Sequence, residues 1–556
     1  MNILLTAINA KYIHSNLAVY SLRACAGEYR DAVELAEYTI NNQKDYILEE
    51  LYKRKPDVLC FSCYIWNIDY VTDIAREYKK LCPSVPIWVG GPEVSYEVEA
   101  FLRENPYIDG VMIGEGEDTF RELCGYYAHK RKLSDIAGIA FRKNSTGNST
   151  SVNNIGGNKA GEIVFTSPRP IKNMSEIPFC YDTLDDFSNR IIYYESSRGC
   201  PFSCSYCLSS VDKTLRFRDT EIVKKELKFF IDQKVPQIKF VDRTFNCNHA
   251  HAMELWRFIK ANDNGVTNFH FEISADLLNQ EELELISDMR PGLIQLEIGV
   301  QSTNEVTIKE IHRTMKLERL KEVVRLIQSG NNIHEHLDLI AGLPYEDYDS
   351  FGRSFDEIYE LKPNQLQLGF LKVLKGSYMF EHAAEYGIVY HDKPPYEVMS
   401  TKWLSFDDVI KIKRVEDMLE VYYNSGQFEI TMKLMECIFD SAFEFFQELG
   451  DFYEANGYFG MSHSRIRRCE ILLEFLALYL HGCDSDAMTS VGLFENHGDR
   501  DNTDFDENAQ IYSMIQESLI FDLYYRENCK SRPVWALFHY DMRDPLDHQA
   551  LVEYIE

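Results

Sequence analysis

The first 125 or so residues switch repeatedly between two hydrophobic periods, and that alternation restricts the fold more than any other feature of the sequence. "MNILLTAINA", "AVELAEYTI", "PDVLCFSCYIW", "PIWVGGPEVS" and "IDGVMIGEGE" are apolar or alternating runs that stop at turns. Between them, "DYILEELYKRK" and "IDYVTDIAREYKKLC" space their apolar residues three and four apart, as a helix requires. Strands interleaved with helices give a parallel sheet covered on both faces, and such sheets bind ligands at the carboxyl ends of their strands. A doubly wound, flavodoxin-like α/β domain is therefore expected over residues 1–145.

A polar stretch, "RKNSTGNSTSVNNIGGNKAGE" (Arg142–Glu162), reads as a hairpin tip or linker, and "SPRPIKNMSEIPFCYDTLDDF" has three prolines and no sustained period. Residues 146–188 are expected to connect domains. A second alternation follows, with strands at "IIYYESS", "QIKFVDRTF", "NFHFEISADLL", "LIQLEIGVQS", "HLDLIAGLP" and "QLQLGFLKVL". Six such repeats fit a partial or complete β/α barrel over 189–390, whose reactive groups would sit at the strands' carboxyl ends. Residues 391–556 read as helices dense in Phe and Tyr at helical spacing, which packing explains, and "ENHGDRDNTDFDEN" reads as a solvated connection.

Composition narrows the partners. Acids outnumber bases 88 to 58, for a net charge of −30, which disfavours a nucleic-acid surface. "MNILLTAINAKYIH" lacks the features of a signal peptide, and the longest apolar run, "ILLEFLALYL", is too short to span a bilayer and contains Glu474. A cytoplasmic protein with no membrane partner is expected. Its 14 cysteines then do not read as a disulfide framework, and a tight cluster among them points to metal binding or catalysis.

"RGCPFSCSYC" (Arg198–Cys207) supplies that cluster: Cys200, Cys204 and Cys207. Structural zinc wants four closed ligands, often as paired Cys-x-x-Cys units, and no second pair lies at a matching distance, although Cys247 and His249 could complete a site in space. Three thiolates suit an iron–sulfur cluster with one iron left open. The segment resembles the cluster motif of the radical S-adenosylmethionine superfamily, with the aromatic Tyr206 before the last cysteine. That resemblance implies a 4Fe-4S cluster on the three cysteines, S-adenosylmethionine on the open iron, and a 5′-deoxyadenosyl radical. The electron would come from a donor such as flavodoxin or ferredoxin.

Further segments resemble the superfamily's strand-end motifs: "FVDRTFN" with Asp242, "FHFEISADLL" with Glu272, "LEIGVQSTN" with Gln301 and Ser302, and "DLIAGLP" with Asp338. With Tyr206 and Arg313 these are the implied S-adenosylmethionine contacts. Each alone serves equally well to cap a helix or satisfy a loop.

The order of domains resembles the cobalamin-dependent branch of the superfamily. "WVGGPEVS" and "GEGEDTF" resemble that branch's loops after the fourth and fifth strands and nominate Gly90, Gly91, Gly114, Glu115 and Gly116; "CFSCYIWN" offers Ser62. "NAKYIHSN" contains His14 but lacks the Asp-x-His-x-x-Gly pattern of cobalt-ligating domains, so an unligated or water-bound lower face is expected. The implied reaction is methyl transfer from cobalamin to an unactivated carbon of a small molecule or peptide. Alternatives are radical cyclisation, rearrangement or oxidation, and a cobalamin- or redox-sensing binding protein. Methylthiotransferases are a rival, with Cys25, Cys60, Cys63, Cys82 and Cys124 available for their second cluster, but those enzymes end in a nucleic-acid-binding β module whereas this sequence ends in acidic helices. Beyond the barrel, "EVYYNSGQFEITM" resembles an uncharacterised group of this branch.

Overall fold

Seven buried residues in a row, Ile3–Asn9, form strand β1 in the computed structural model, which describes residues 1–143, 161–481 and 507–526 with Pro533 and Trp535. A strand buried on both faces must lie centrally in its sheet. It does: β2 (Val33–Thr39) and β3 (Val58–Ser62) flank it in parallel, followed by β4 (Ile87–Gly90) and β5 (Gly110–Met112), in the order β2-β1-β3-β4-β5. The crossovers are α1 (Leu17–Cys25), α2 (Lys44–Arg54), α3 (Ile68–Leu81), α4 (Val98–Glu104) and α5 (Glu117–Tyr127). Ile47, Leu51, Val71, Ile74, Tyr78 and Leu102 from α2, α3 and α4 share one core with Leu4, Ile8, Phe61 and Val89 of the sheet. Strand order reverses between β1 and β3, so the loops that leave those two strands diverge and open a crevice.

The sheet runs past the expected boundary at 145. β6 (Ile139–Lys143) pairs antiparallel with β5, and β7 (Glu162–Phe165) antiparallel with β6. Residues 162–165, expected within the connecting segment, are thus an edge strand. "EIVF" is only half-buried, so it lacks the apolar run that marks a central strand. The tip between β6 and β7 lies outside the described residues.

The second sheet has the order β15-β14-β13-β12-β11-β8, with no closing pair among the described residues, so it forms a partial barrel. Its members are β8 (Ile192–Tyr194), β11 (Gln237–Phe240), β12 (Asn268–Ile273), β13 (Ile294–Gln301), β14 (His334–Ala341) and β15 (Gln365–Phe370), and a short ribbon of β9 (Ser197–Arg198) and β10 (Arg216–Phe217) follows β8. β8, β11, β12, β13 and β14 run parallel. The intervening helices are α6 (Thr220–Asp232), α7 (His249–Ala261), α8 (Gln280–Ser287), α9 (Glu305–Glu310) and α10 (Leu317–Ser329). Local chemistry starts them: Asp219 accepts from the backbone of Glu221 and Ile222 at the head of α6, and Asn279 with Glu282 forms a capping box on α8. In β13 the buried Ile294, Leu296, Ile298 and Val300 alternate with half-buried Gln295, Glu297, Gly299 and Gln301, so the two sets face opposite sides.

The chain divides into two compact units: Met1–Glu346 with Gly369–Trp403, and Asp347–Leu368 with Leu404–Glu556. The division runs through β15. The helical unit therefore starts later than the expected 391 and also claims α11 (Tyr348–Tyr359). An aromatic core explains that: Phe355 lies 5.5 Å from Phe443 and 6.0 Å from Phe446, ring centre to ring centre, and Asp356 accepts from the backbone of Phe443 at 2.8 Å. The acidic connection, apart from its last residues, lies outside the described residues. Among the described residues no helix is long and apolar enough to cross a membrane.

Candidate functional site

The three cysteines sit in the loop of a hairpin. β9 and β10 pair Ser197 with Phe217 and Arg198 with Arg216, and residues 199–215 span the gap between them. Gly199 closes the base with φ +86°, and a Cβ there would stand 2.6 Å from the carbonyl oxygen of Thr214, so only glycine fits. Cys200 and Cys204 are buried, with 8% and 9% exposure, and Cys207 is half-buried. Thr244 Oγ1 lies 3.8 Å from Cys200 Sγ. Arg313 Nη1 lies 3.9 Å from Cys204 Sγ and 3.2 Å from the Tyr206 hydroxyl, while Nη2 donates to the Gly299 carbonyl. Burial pushes the Cys204 thiol up, and the Arg313 charge pulls it back down.

Among the described residues no three His, Cys, Asp or Glu side chains converge tightly enough to hold a single metal ion. Of the two residues considered for a zinc site, His249 Nδ1 lies 2.9 Å from Glu282 Oε1, and burial, helped by Cys200, pushes the Cys247 thiol up to about 11. Three thiols along one loop, with a guanidinium beside one of them, suit a larger body such as an iron–sulfur cluster.

Strand ends surround this loop. Gln301 has φ +77°, its buried Oε1 has no hydrogen-bond partner, and Gly299 makes room for it, since a Cβ at 299 would stand 2.3 Å from Gln301 Nε2. Burial raises the Glu272 carboxyl, with Arg243 opposing. Burial also lifts Asp338 well above the carboxylate range, helped by Glu297 and Glu272, and its Oδ1 lies 3.2 Å from His336 Nε2. Asp242 and Ser302 are placed differently. Asp242 is fully buried and accepts from Ser196 N at 2.9 Å, Ser196 Oγ at 2.6 Å and Ser197 Oγ at 2.5 Å. Ser302 Oγ donates to Glu346 at 2.7 Å and accepts from the backbone of Asn304 at 3.0 Å. Both residues fasten loops.

Sequence reasoning missed the concave face of the barrel. Lys239 Nζ and His270 Nε2 each lie 2.9 Å from Glu297 Oε2. Burial opposes the charge on Glu297, but the His270 hydrogen bond and Lys239 outweigh it and hold the carboxyl down at about 2. The signal was present: "IQLEIGVQ" and "HEHLDLIA" alternate apolar with polar residues, which a closed, side-chain-filled barrel would not.

In the first domain, the loops leaving the strands face the same region. His14 Nδ1 lies 2.7 Å from the Tyr193 hydroxyl, and Ser15 Oγ donates to the Ile191 carbonyl at 2.8 Å, tying the β1 exit to β8. Gly91, φ +119°, packs on the β3 exit, where a Cβ would stand 2.4 Å from Cys63 O. A Cβ at Gly90 would touch the Met112 side chain and one at Gly116 would touch Leu22, whereas Gly114, φ +74°, has open space around it. Ser62 is buried, and its carbonyl accepts from Asn67 Nδ2 at 2.9 Å. Glu115 Oε1 accepts from Arg216 Nη1 at 2.6 Å. Tyr64 and Trp66 stack at 4.5 Å beside the strand-order reversal, a pair the sequence reading did not single out. Cys25 and Cys124 are pushed by burial to about 12, which suits packed thiols better than ligands of a second cluster.

Comparison with known proteins finds three family models along the chain. A B12 binding domain model matches residues 3–124, a radical SAM superfamily model matches 194–358, and a model described as a protein of unknown function, DUF4080, matches 384–554. The cobalamin-dependent radical SAM methyltransferase TokK of Streptomyces tokunonensis is 27% identical over 61% of this chain and 49% of its own. An anaerobic magnesium-protoporphyrin IX monomethyl ester cyclase of Rubrivivax gelatinosus is 22% identical over 61% of this chain and 60% of its own. The chain spans about half the length of the first curated relatives it matches. The structure of the cobalamin-dependent S-adenosylmethionine radical enzyme OxsB superposes with a TM-score of 0.59 over 96% of this chain and 82% of its own, at 15% identity, which is a likeness of fold.

Proposed function

Because the chain belongs to the radical S-adenosylmethionine superfamily and carries a B12-binding domain ahead of the radical domain, we propose that it transfers a methyl group to an unactivated carbon. One observation carries this reading: the segment that leaves β5 at its carboxyl end meets the ribbon that follows β8, through Glu115 and Glu117 on Arg198 and Arg216, while His14 after β1 reaches Tyr193 within β8. A ligand on the first sheet would face a ligand in the barrel.

In this reading Cys200, Cys204 and Cys207 hold the cluster, and Arg313 offsets the charge that accumulates on their thiolates. Gln301, Glu272 and Asp338 receive the polar groups of S-adenosylmethionine, the buried Gln301 Oε1 having no hydrogen-bond partner within the protein. Asp242 and Ser302 act at one remove, by holding the loops that carry those contacts. Open backbone at Gly114 and the Tyr64–Trp66 stack border the cobalamin; His14, with Nδ1 engaged by Tyr193, orients the β1 exit. Bound together, the three cofactors supply hydrogen abstraction by a carbon radical and a transferable methyl group. The polar concave face around Lys239, His270 and Glu297 binds and orients the substrate, which we take to be a small molecule or peptide. An external one-electron donor of the flavodoxin or ferredoxin kind completes the system.

The test is anaerobic reconstitution of the full chain with iron, sulfide and hydroxocobalamin. About four irons per chain, lost in Cys204→Ala, with cobalamin absorption surviving gel filtration, is expected. With S-adenosylmethionine labelled at its methyl group and a candidate substrate, S-adenosylhomocysteine and 5′-deoxyadenosine should form together. Deoxyadenosine alone would favour cyclisation or oxidation, the type of reaction named for the cyclase relative. Loss of cobalamin on the column would end the methyl-transfer reading, and zinc in place of iron would end the radical one.

A further inference from the structure

Two guanidiniums face each other at the neck of the cysteine loop. Arg198 and Arg216 are the cross-strand pair of the β9–β10 ribbon, and like charges directly opposite on a ribbon destabilise it. Neither escapes into water: their side chains keep 18% and 13% of their exposure. Two of the compensating carboxylates are local, Glu195 at 2.9 Å from Arg198 Nε and Asp212 at 2.9 Å from Arg216 Nη2. The others come from the first domain. Glu117, only 6% exposed, accepts from Arg198 Nη2 at 2.5 Å. Glu115 Oε1 stands between the two cations, 2.6 Å from Arg216 Nη1 and 3.5 Å from Arg198 Nη1. Lys172 adds to the seat, its N–H directed to Glu115 Oε2 at 3.3 Å and its carbonyl accepting from Arg216 at 3.2 Å.

Glu115 lies on the turn between β5 and α5, and Glu117 is the first residue of α5. The same turn carries Gly114, whose surroundings are open. One short segment therefore neutralises the neck of the cysteine loop and, in the reading above, also borders the cobalamin. Breaking one partner of a buried ion pair is strongly destabilising, because the other charge stays desolvated and alone. The two arginines would then repel across the ribbon, and the loop they close would be held less firmly.

We propose that the Glu115–Glu117 turn couples the two cofactor sites, with Arg198 as the positioning residue through which filling one site favours the other. The proposal rests on the reading that cobalamin binds the first domain and a cluster binds the cysteines. A ligand seated against Gly114 holds the turn, the turn holds the neck, and the neck holds Cys200, two residues on. Because coupling is reciprocal, an assembled cluster tightens cobalamin binding by the same factor that cobalamin tightens the cluster.

The experiment titrates hydroxocobalamin into the full chain with and without reconstituted iron. The wild-type chain should bind it about fivefold or more tightly when the cluster is present. In Glu117→Gln that ratio should fall toward one while iron still loads, and Glu117→Asp should recover part of it. An unchanged ratio in both Glu117→Gln and Glu115→Gln, or no difference in the wild type, overturns the coupling. A wild-type chain that binds no cobalamin defeats the methyl-transfer reading instead, and the neck is then read by hydrogen exchange of residues 199–215 in the metal-free full chain. Faster exchange in Glu115→Gln, slowed again by adding Arg216→Gln, supports charge neutralisation. Exchange that is unchanged, or not rescued when one of the opposed cations is removed, overturns it.

Discussion

Substituting Gly199 by alanine places a methyl group against the Thr214 carbonyl at a backbone angle that L side chains avoid, so strain of about 1–3 kcal/mol falls on the base of the cysteine loop. Gly199→Ala should fold, since the loop is peripheral to both sheets, but load iron poorly; iron content after reconstitution, set against unchanged far-ultraviolet dichroism, checks this. At this scale the sequence was most informative where chemistry is local. Three cysteines within eight residues identify themselves, and so does the tyrosine before the last of them. Arg198 sits in the same motif, yet its role was not legible, because its partner Glu117 is 81 positions upstream. Asp242 and Ser302 show the converse: a motif position gives residue type and place on a strand, while hydrogen bonds decide whether the side chain meets a ligand or fastens a loop.

Across strands β11, β12 and β13, the row of Lys239, His270 and Glu297 makes one side of the barrel electrostatic rather than apolar. Glu297 is ionised down to about 2 in the folded chain, below the ordinary carboxylate range. Its contribution to stability is thus full above that ordinary range and is lost as pH falls through it toward about 2. The shift corresponds to about 3 kcal/mol. Wild type should exceed Glu297→Gln in thermal midpoint near neutrality, and the gap should narrow as pH approaches about 3; a gap independent of pH would refute the ionised pair. Elements of this kind were partly legible. Period-two alternation marked every barrel strand, and period 3.6 marked the helices. The weak edge strand β7 escaped because its residues are half-exposed, and α11 joins the helical unit only through the rings of Phe443 and Phe446, far along the chain.

For the molecule as a whole, the sequence order of domains was readable from two successive alternations and a helical tail, while the meeting of the two sheets' carboxyl ends was not. Contacts such as Glu115 with Arg216 join residues 101 positions apart, and no local period encodes them. The same long reach has a consequence for how the chain is made. Glu115 and Glu117 leave the ribosome before Arg198 and the three cysteines, so each arginine of the neck emerges to find its carboxylates already in a formed turn. Synthesis in this direction lets the thiol loop close as soon as Arg216 emerges. A circular permutant that begins near residue 161 and returns the first domain at its end would reverse the order, exposing three thiols to oxidation before their clasp exists. Its yield of iron-loaded protein, measured in cells grown in air, should fall well below that of the natural order, while the two chains, once folded and reconstituted without oxygen, should carry equal iron.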